Sequence, residues 1–226
     1  MEQQQVMCIG RNYADHITEL NSQRPKQPFF FLKPSSSLHL PSDGPVLRPA
    51  GVTTHFEIEL GLVIGKRCQN LDTSDLSEAL QYVDSYVLAI DMTARNVQDE
   101  AKKKGLPWSI AKGFDTFCPI AGPIAKSKLT NPHDVEIYLK VNGQVKQEDS
   151  TGLMLFDIPR QLSDISKVMT LEEGDIVLTG TPKGVGPVAT GDVMEAGLRR
   201  GGEEVEEAKM KVEVADKGGP YKFAET

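Results

Sequence analysis

The sequence is short of the features that mark secreted, membrane-spanning or nucleic-acid-binding chains. Cysteine occurs three times in 226 residues, at Cys8, Cys68 and Cys118, with no C-x-x-C spacing. That argues against a disulfide framework or a thiolate zinc site and leaves three buried structural thiols as the expectation. The four histidines, His16, His39, His55 and His133, include no H-x-x-x-H pair, so a histidine-rich metal site is not expected either. There is no run of 18 apolar residues, and hence no transmembrane helix. The opening MEQQQVMCIG has neither the basic and apolar regions of a signal peptide nor the Arg/Ser richness of a transit peptide, which makes the cytosol the expected compartment. Positive charge is in deficit, 25 Lys and Arg against 32 Asp and Glu, for a net charge of -7. Nonspecific attraction to nucleic acid or an anionic membrane is therefore not expected.

What remains is the composition of an ordinary soluble globular protein, 39% hydrophobic and 25% charged. The length suits one domain over 1–226, with a small N-terminal subregion up to about residue 50. Val6 to Ile9 reads as a short strand entering the helical stretch RNYADHITEL, and PFFFLKP as an aromatic strand closed by Pro34. Residues 34–53 are loop-like, with one short strand near Val46 and Leu47, before a strand over 55–64. SDLSEALQYVDSY predicts a helix, and YVLAIDMTARNVQDEAKKKG a buried strand followed by a helix ending at Gly105. EIYLKVNGQVKQE is a hairpin around Asn142-Gly143. DIPRQLSDISKVM is amphipathic, with Ile158, Leu162, Ile165 and Met169 on one helical face. DIVLTGTPKGVG is a strand running into a Gly/Pro-rich loop, and VEEAKMKVEVAD reads as a last strand. Hairpin-linked strands with few helices predict an α+β fold, a mixed β-rich architecture with covering helices rather than a doubly wound sheet.

Three carboxylates interrupt otherwise apolar strands. Glu57 and Glu59 of HFEIELG alternate with Phe56, Ile58 and Leu60, which puts both on one strand face, and Asp91 closes LAID. Gly61 is expected to open space beside them. A buried, unpaired carboxylate is costly, and a divalent cation would remove the cost; the alternative is a solvated strand face. His16 and Glu19 stand three apart, on one face if helical, where a carboxylate would raise the basicity of an imidazole. Lys112, in GLPWSIAKGFD, has no adjacent acid and is either a snorkelling surface residue or a cation held for an anion. TGTPKGVG, residues 179–186, offers hydroxyls and glycine amides but not the order of a nucleotide-binding P-loop.

GRNYADHITEL, PFFFLKPSSSL, HFEIELGLVIGK, LAIDMTARNVQDEAKKKGLPWSIAKGFDTFCPI, LKVNGQVKQ and LEEGDIVLTGTPKGVGP together resemble the fumarylacetoacetate hydrolase family, specifically its small acylpyruvase and oxaloacetate decarboxylase branch. The resemblance implies a mixed β-roll of the type of that family's C-terminal domain and a homodimer. It implies Mg²⁺ or Mn²⁺ held by Glu57, Glu59 and Asp91, and a His16–Glu19 dyad on a helix that closes as a lid. It further implies Lys112 as a catalytic lysine and substrate-orienting positions at Arg11, Asn12, Arg95, Gln98 and Thr181. The implied substrates are small 2-oxo acids. Hydrolysis of acylpyruvates such as acetylpyruvate and fumarylpyruvate comes first, with oxaloacetate decarboxylation at the same site. Oxaloacetate keto–enol tautomerisation, or 2-oxo-dicarboxylate hydration or isomerisation, is the alternative; a noncatalytic metal- or ligand-binding protein is the remote one. Eukaryotic members of the family are often mitochondrial, which adds that compartment as an alternative.

Overall fold

A computed structural model describes residues 5–225; the N-terminal reading of the first four residues lies outside them. The described residues form three sheets with five short α-helices, α1 (Ala14–Glu19), α2 (Leu76–Ala79), α3 (Arg95–Lys104), α4 (Ser109–Lys112) and α5 (Ile158–Val168). The largest sheet has seven strands in the order Phe29–Lys33, Val6–Gly10, Ile176–Leu178, Ile58–Ile64, Val83–Ile90, Cys118–Ala125 and Leu38–His39. Its neighbours are antiparallel except at Val6–Gly10 beside Ile176–Leu178 and Leu38–His39 beside Cys118–Ala125. A second sheet orders Gln144–Ser150, Glu136–Val141, Val193–Arg200, Met210–Asp216 and Val46–Arg48. The third joins Gly186–Pro187, Thr54–Phe56 and Thr93–Ala94.

The central strands of the seven-stranded sheet are buried on both faces, so they carry near-continuous apolar runs. Met7, Ile9, Ile58, Leu60, Leu88 and Ile90 join the main core, while Val6, Cys8, Val87, Ala89, Cys118 and Leu178 form a smaller cluster behind it. Glu57 and Glu59 alternate with Ile58 and Leu60, which turns them away from the main core. Gly61 is not open space. A Cβ there would meet Val87 Cγ2 at 2.6 Å and Leu178 Cδ2 at 3.0 Å, so the glycine lets neighbouring strands close in. All three cysteines are free and buried, as expected.

Local chemistry fixes the remaining elements. Asn142 and Gly143 both take positive φ (51° and 77°), the backbone that a two-residue hairpin turn requires. Asp157 caps α5 by accepting the Arg160 N–H, Pro159 occupies its first turn, and Ile158, Leu162 and Ile165 bury its inner face. Gly105 ends α3 in the left-handed conformation. Three readings need correction. The helix expected over SDLSEALQYVDSY is a single α-turn and a 3₁₀ turn, because pairing with the strand Ile58–Ile64 pulls the backbone into extension from Val83. The last strand begins at Met210, after a 3₁₀ turn over Glu206–Ala208. The single strand expected over 55–64 is two, broken at Glu57, where the chain passes from the three-stranded sheet to the seven-stranded one.

Candidate metal centre and its cavity

The break at Glu57 builds the site. In the seven-stranded sheet Ile58 pairs with Ile90, and the Asp91 N–H donates to the Glu57 carbonyl at 2.8 Å, so the two acidic residues face each other where the ladder ends. The Ile58 N–H donates to Oε1 of the buried Gln147 at 2.9 Å, a side-chain substitute for the ladder bond that the break removes. Glu59, one pleat further on, comes to the same side. Ligand oxygens of Glu57, Glu59 and Asp91 lie within 4.8 Å of one another, and all three residues are buried.

Their partners differ. Asp91 accepts from Lys33 Nζ at 2.7 Å and from Lys112 Nζ at 2.5 Å. Glu57 accepts from Lys112 at 3.0 Å, from the Arg95 guanidinium at 2.5 Å and from Thr93 Oγ1 at 3.1 Å. Burial alone would push the Glu57 carboxyl up, but Lys112 and Arg95 outweigh it and hold it well below the usual range. Glu59 forms no ion pair among the described residues; its Oε2 accepts the Gly180 N–H at 2.7 Å. Burial, then the charges of Asp91 and Glu57, push its carboxyl well above the ordinary value. A dication among the three carboxylates would remove that penalty. A hard, all-oxygen donor set with room for water is what Mg²⁺ and Mn²⁺ take, so the residues fit the ion.

These groups open onto one cavity of about 30 Å³, lined also by Arg11, His16, Leu20, Phe31, Gln98, Trp108 and Thr181. That is room for a water or an ion, not for an organic acid. His16 reaches it from α1 and is only 5% exposed; burial lowers its pKa below the usual histidine value, so the ring is neutral. Its Nδ1 stands 3.6 Å from Glu19 Oε2, too far for a hydrogen bond. Glu19 is turned to the loop over residues 179–186, where both carboxylate oxygens accept the Gly184 N–H at 3.1 Å, and Asp15 pairs with Lys183 beside it. Lys112 is 1% exposed; desolvation opposes its charge, but Asp91 and Glu57 raise its pKa above the usual lysine value.

Of the sequence-predicted residues, the fold gathers Arg11, His16, Glu57, Glu59, Asp91, Arg95, Gln98, Lys112 and Thr181 around the cavity. Gln98 accepts from Arg95 at 2.6 Å, and Thr181 Oγ1 accepts from Gln147 at 2.8 Å. Asn12 is not among them. It is fully buried, with its amide donating to the Phe156 and Thr179 carbonyls and accepting the Phe156 N–H, so every polar atom of the side chain is committed to backbone. Glu19 touches the rim only through His16. Sequence reasoning missed Lys33, Thr93, Gln147, Trp108 and Lys102. A lysine closing the aromatic run PFFFLK was the one signal that could have exposed Lys33.

A mixed β fold around a buried carboxylate triad and an imidazole defines a candidate metal-dependent enzyme. The family profile Fumarylacetoacetate (FAA) hydrolase C-terminal matches residues 5–212, and the chain belongs to that family. It is 51% identical over 194 residues to the mitochondrial oxaloacetate tautomerase of Bos taurus, covering 85% of this chain and 86% of the relative. It is 49% identical over 194 residues to the mitochondrial oxaloacetate decarboxylase of Dictyostelium discoideum, covering 85% and 88%. Among solved structures, a yeast fumarylacetoacetate hydrolase family protein superposes with a TM-score of 0.89 at 42% identity, covering 99% of this chain and 97% of that one. The fumarylpyruvate hydrolase of Pseudomonas aeruginosa, in complex with Mn²⁺ and pyruvate, superposes with a TM-score of 0.84 at 31% identity, covering 95% and 91%. The mixed β-roll expected from the sequence is the observed fold.

Proposed function

We propose that the protein is a divalent-cation-dependent enzyme of small 2-oxo acids whose principal reaction is keto–enol tautomerisation of oxaloacetate. The observation that carries this reading is one cavity facing three clustered carboxylates, a charged Lys112 and a neutral His16. The sequence alone ranked acylpyruvate hydrolysis first; relatives about half identical that bear the name oxaloacetate tautomerase move tautomerisation ahead of it. Their names also favour the mitochondrial alternative for its compartment.

Glu57, Glu59 and Asp91 would hold the ion, and Mg²⁺ or Mn²⁺ bound there supplies Lewis-acid polarisation of the substrate carbonyl. His16 is neutral and able to accept a proton. With Nδ1 turned toward Glu19, its Nε2 takes a proton from the carbon beside the carbonyl and the resulting imidazolium gives that proton to the enolate oxygen, the same two transfers running backwards in the reverse direction. Lys112, kept charged by Glu57 and Asp91, stabilises the negative charge that develops on the keto oxygen. Arg95 and Gln98 orient the substrate carboxylate. Loss of CO₂ from oxaloacetate develops the same enolate charge, so decarboxylation is a side reaction of one site. The cavity is too small for a 2-oxo acid as it stands, so α1 acts as a lid. It is held by six residues of helix, the Asp15–Lys183 pair and the Glu19–Gly184 contact.

Acylpyruvate hydrolysis is the second reading, favoured by Glu19. A closure of less than an ångström would join it to His16 Nδ1 and make the ring a base for water. The test follows oxaloacetate enol absorbance and pyruvate release side by side, then pyruvate release from acetylpyruvate, each with Mg²⁺, Mn²⁺ or chelator. Enol decay that is chelator-sensitive and outruns pyruvate release is the expected result. Acetylpyruvate cleavage without tautomerase activity favours the second reading, and no cation-dependent turnover of either acid overturns both.

A further inference from the structure

The face of α3 that looks into the cavity does not end at Gln98. Arg95, Gln98 and Lys102 follow at spacings of three and four residues, and all three line the cavity. Opposite them stands an aromatic wall in which Trp108 meets Phe29 and Phe31 edge-on, with centroids 5.8 and 5.4 Å away. Each ring carries a cation on its face. Arg11 lies 5.6 Å from the Phe29 centroid, Lys102 5.8 Å from that of Trp108 and Lys112 4.8 Å from that of Phe31. A ring face holds a cation without neutralising it.

The four cations around the cavity are not equally committed. Lys112 is bound to Glu57 and Asp91, and Arg95 to Glu57. Arg11 rests on Phe29 and pairs with no carboxylate among the described residues. Lys102 has a single acid partner among them, Asp99, at 3.5 Å and half exposed. Burial and the neighbouring Arg95 lower the Lys102 pKa, which marks an ammonium short of negative charge. Two under-paired cations therefore flank the aromatic side of the cavity, apart from the carboxylate triad.

Resting on the reading of this cavity as a 2-oxo acid site, we infer that Lys102, together with Arg11, binds a second carboxylate at the far end of the substrate. Lys102 is then a specificity-determining residue that selects dianionic 2-oxo acids over monoanionic ones. The 2-oxo carboxylate belongs to the inner cluster with Arg95 and Lys112, and the distal carboxylate fills the charge deficit on the rings.

The experiment titrates pyruvate and 2-oxoglutarate, which does not lose CO₂ as a β-keto acid does, into the full-length protein loaded with Mn²⁺. Wild type, Lys102→Met and Lys102→Arg are compared by calorimetry. Lys102 is partly exposed and its Asp99 pair is a weak i,i+3 contact, so the substitution leaves folding intact. Wild type is expected to prefer the dianion. Lys102→Met is expected to weaken 2-oxoglutarate roughly ten- to hundredfold and pyruvate by less than about threefold, with Lys102→Arg restoring most of the difference. Equal losses for the two acids, or none for either, overturn the inference and leave the 2-oxo acid reading standing. Failure of wild type to bind either acid overturns both.

Discussion

Lys33 Nζ donates to Asp91 Oδ1 at 2.7 Å with both side chains fully buried, and the same ammonium donates to the Lys112 carbonyl at 2.6 Å. One lysine thus fixes a candidate metal ligand and the end of the helix that carries Lys112. Removing one partner of a buried pair strands the other charge. Lys33→Met is expected to destabilise the metal-free protein by about 3–5 kcal/mol in urea unfolding. A loss under about 1 kcal/mol would show that Lys112 alone satisfies Asp91.

Glu59 behaves oppositely, because no cation pairs with it among the described residues and the nearby charge of Lys112 does not outweigh its burial and its two acidic neighbours. Glu59→Gln in the metal-free protein removes a carboxyl already strained by Asp91 and Glu57, and its stability is expected to match or exceed wild type. With Mn²⁺ at a hundred times its Kd, wild type should gain about 2.7 kcal/mol, a gain the variant should lose. An unchanged metal-induced shift in Tm would remove Glu59 from the ligand set.

His16 and the carboxylate triad separate chemistry from metal binding. His16→Ala is expected to lower kcat on oxaloacetate by roughly 10²- to 10⁴-fold while Mn²⁺ affinity stays within about twofold. Parallel losses in kinetics and calorimetry would refute the assigned proton transfer.

Asn12 belongs to the scaffold. Asn12→Ala leaves the Phe156 N–H and the Thr179 carbonyl without their partners and is expected to cost about 2–4 kcal/mol of stability, with KM for oxaloacetate little changed. A raised KM in a protein of unchanged stability would place Asn12 in contact with substrate after all.

His133 accepts the Ile158 N–H on Nε2 at 3.1 Å, and burial lowers its pKa. The native ring is therefore neutral, while the unfolded chain takes up a proton below about pH 6.5. The stability this residue confers is fully present above that value and declines as the pH falls beneath it. Unfolding free energies between about pH 7.5 and 5.5 should fall more steeply for wild type than for His133→Gln. Parallel curves would exclude the effect.

The carboxylate triad was legible because a strand's two-residue period places Glu57 and Glu59 together and an apolar strand makes Asp91 conspicuous. The hairpin at Asn142-Gly143 and α5 were legible for the same reason, since turn chemistry and helical spacing are local. The strand Cys118–Ala125 was not, because Pro119, Gly122 and Pro123 interrupt it as a turn would. Val83 left a helical pattern for a strand because sheet pairing outweighs local propensity. Lys33, Gln147 and Lys102 were missed because nothing in their own segments says which distant carboxylate, backbone amide or ring they will meet. Family resemblance carried Asn12 to the site by position, whereas its side chain is spent on the backbone of two loops.

The break at Glu57 has a practical consequence. The proposed ligands lie on or beside two neighbouring strands of the seven-stranded sheet, Ile58–Ile64 and Val83–Ile90, and a slip of one residue in their pairing would turn Glu59 to the opposite side. Partly assembled chains cannot then present all three oxygens together. Tight Mn²⁺ uptake during refolding would report the completion of assembly, like a lock that turns only once the door is fully shut.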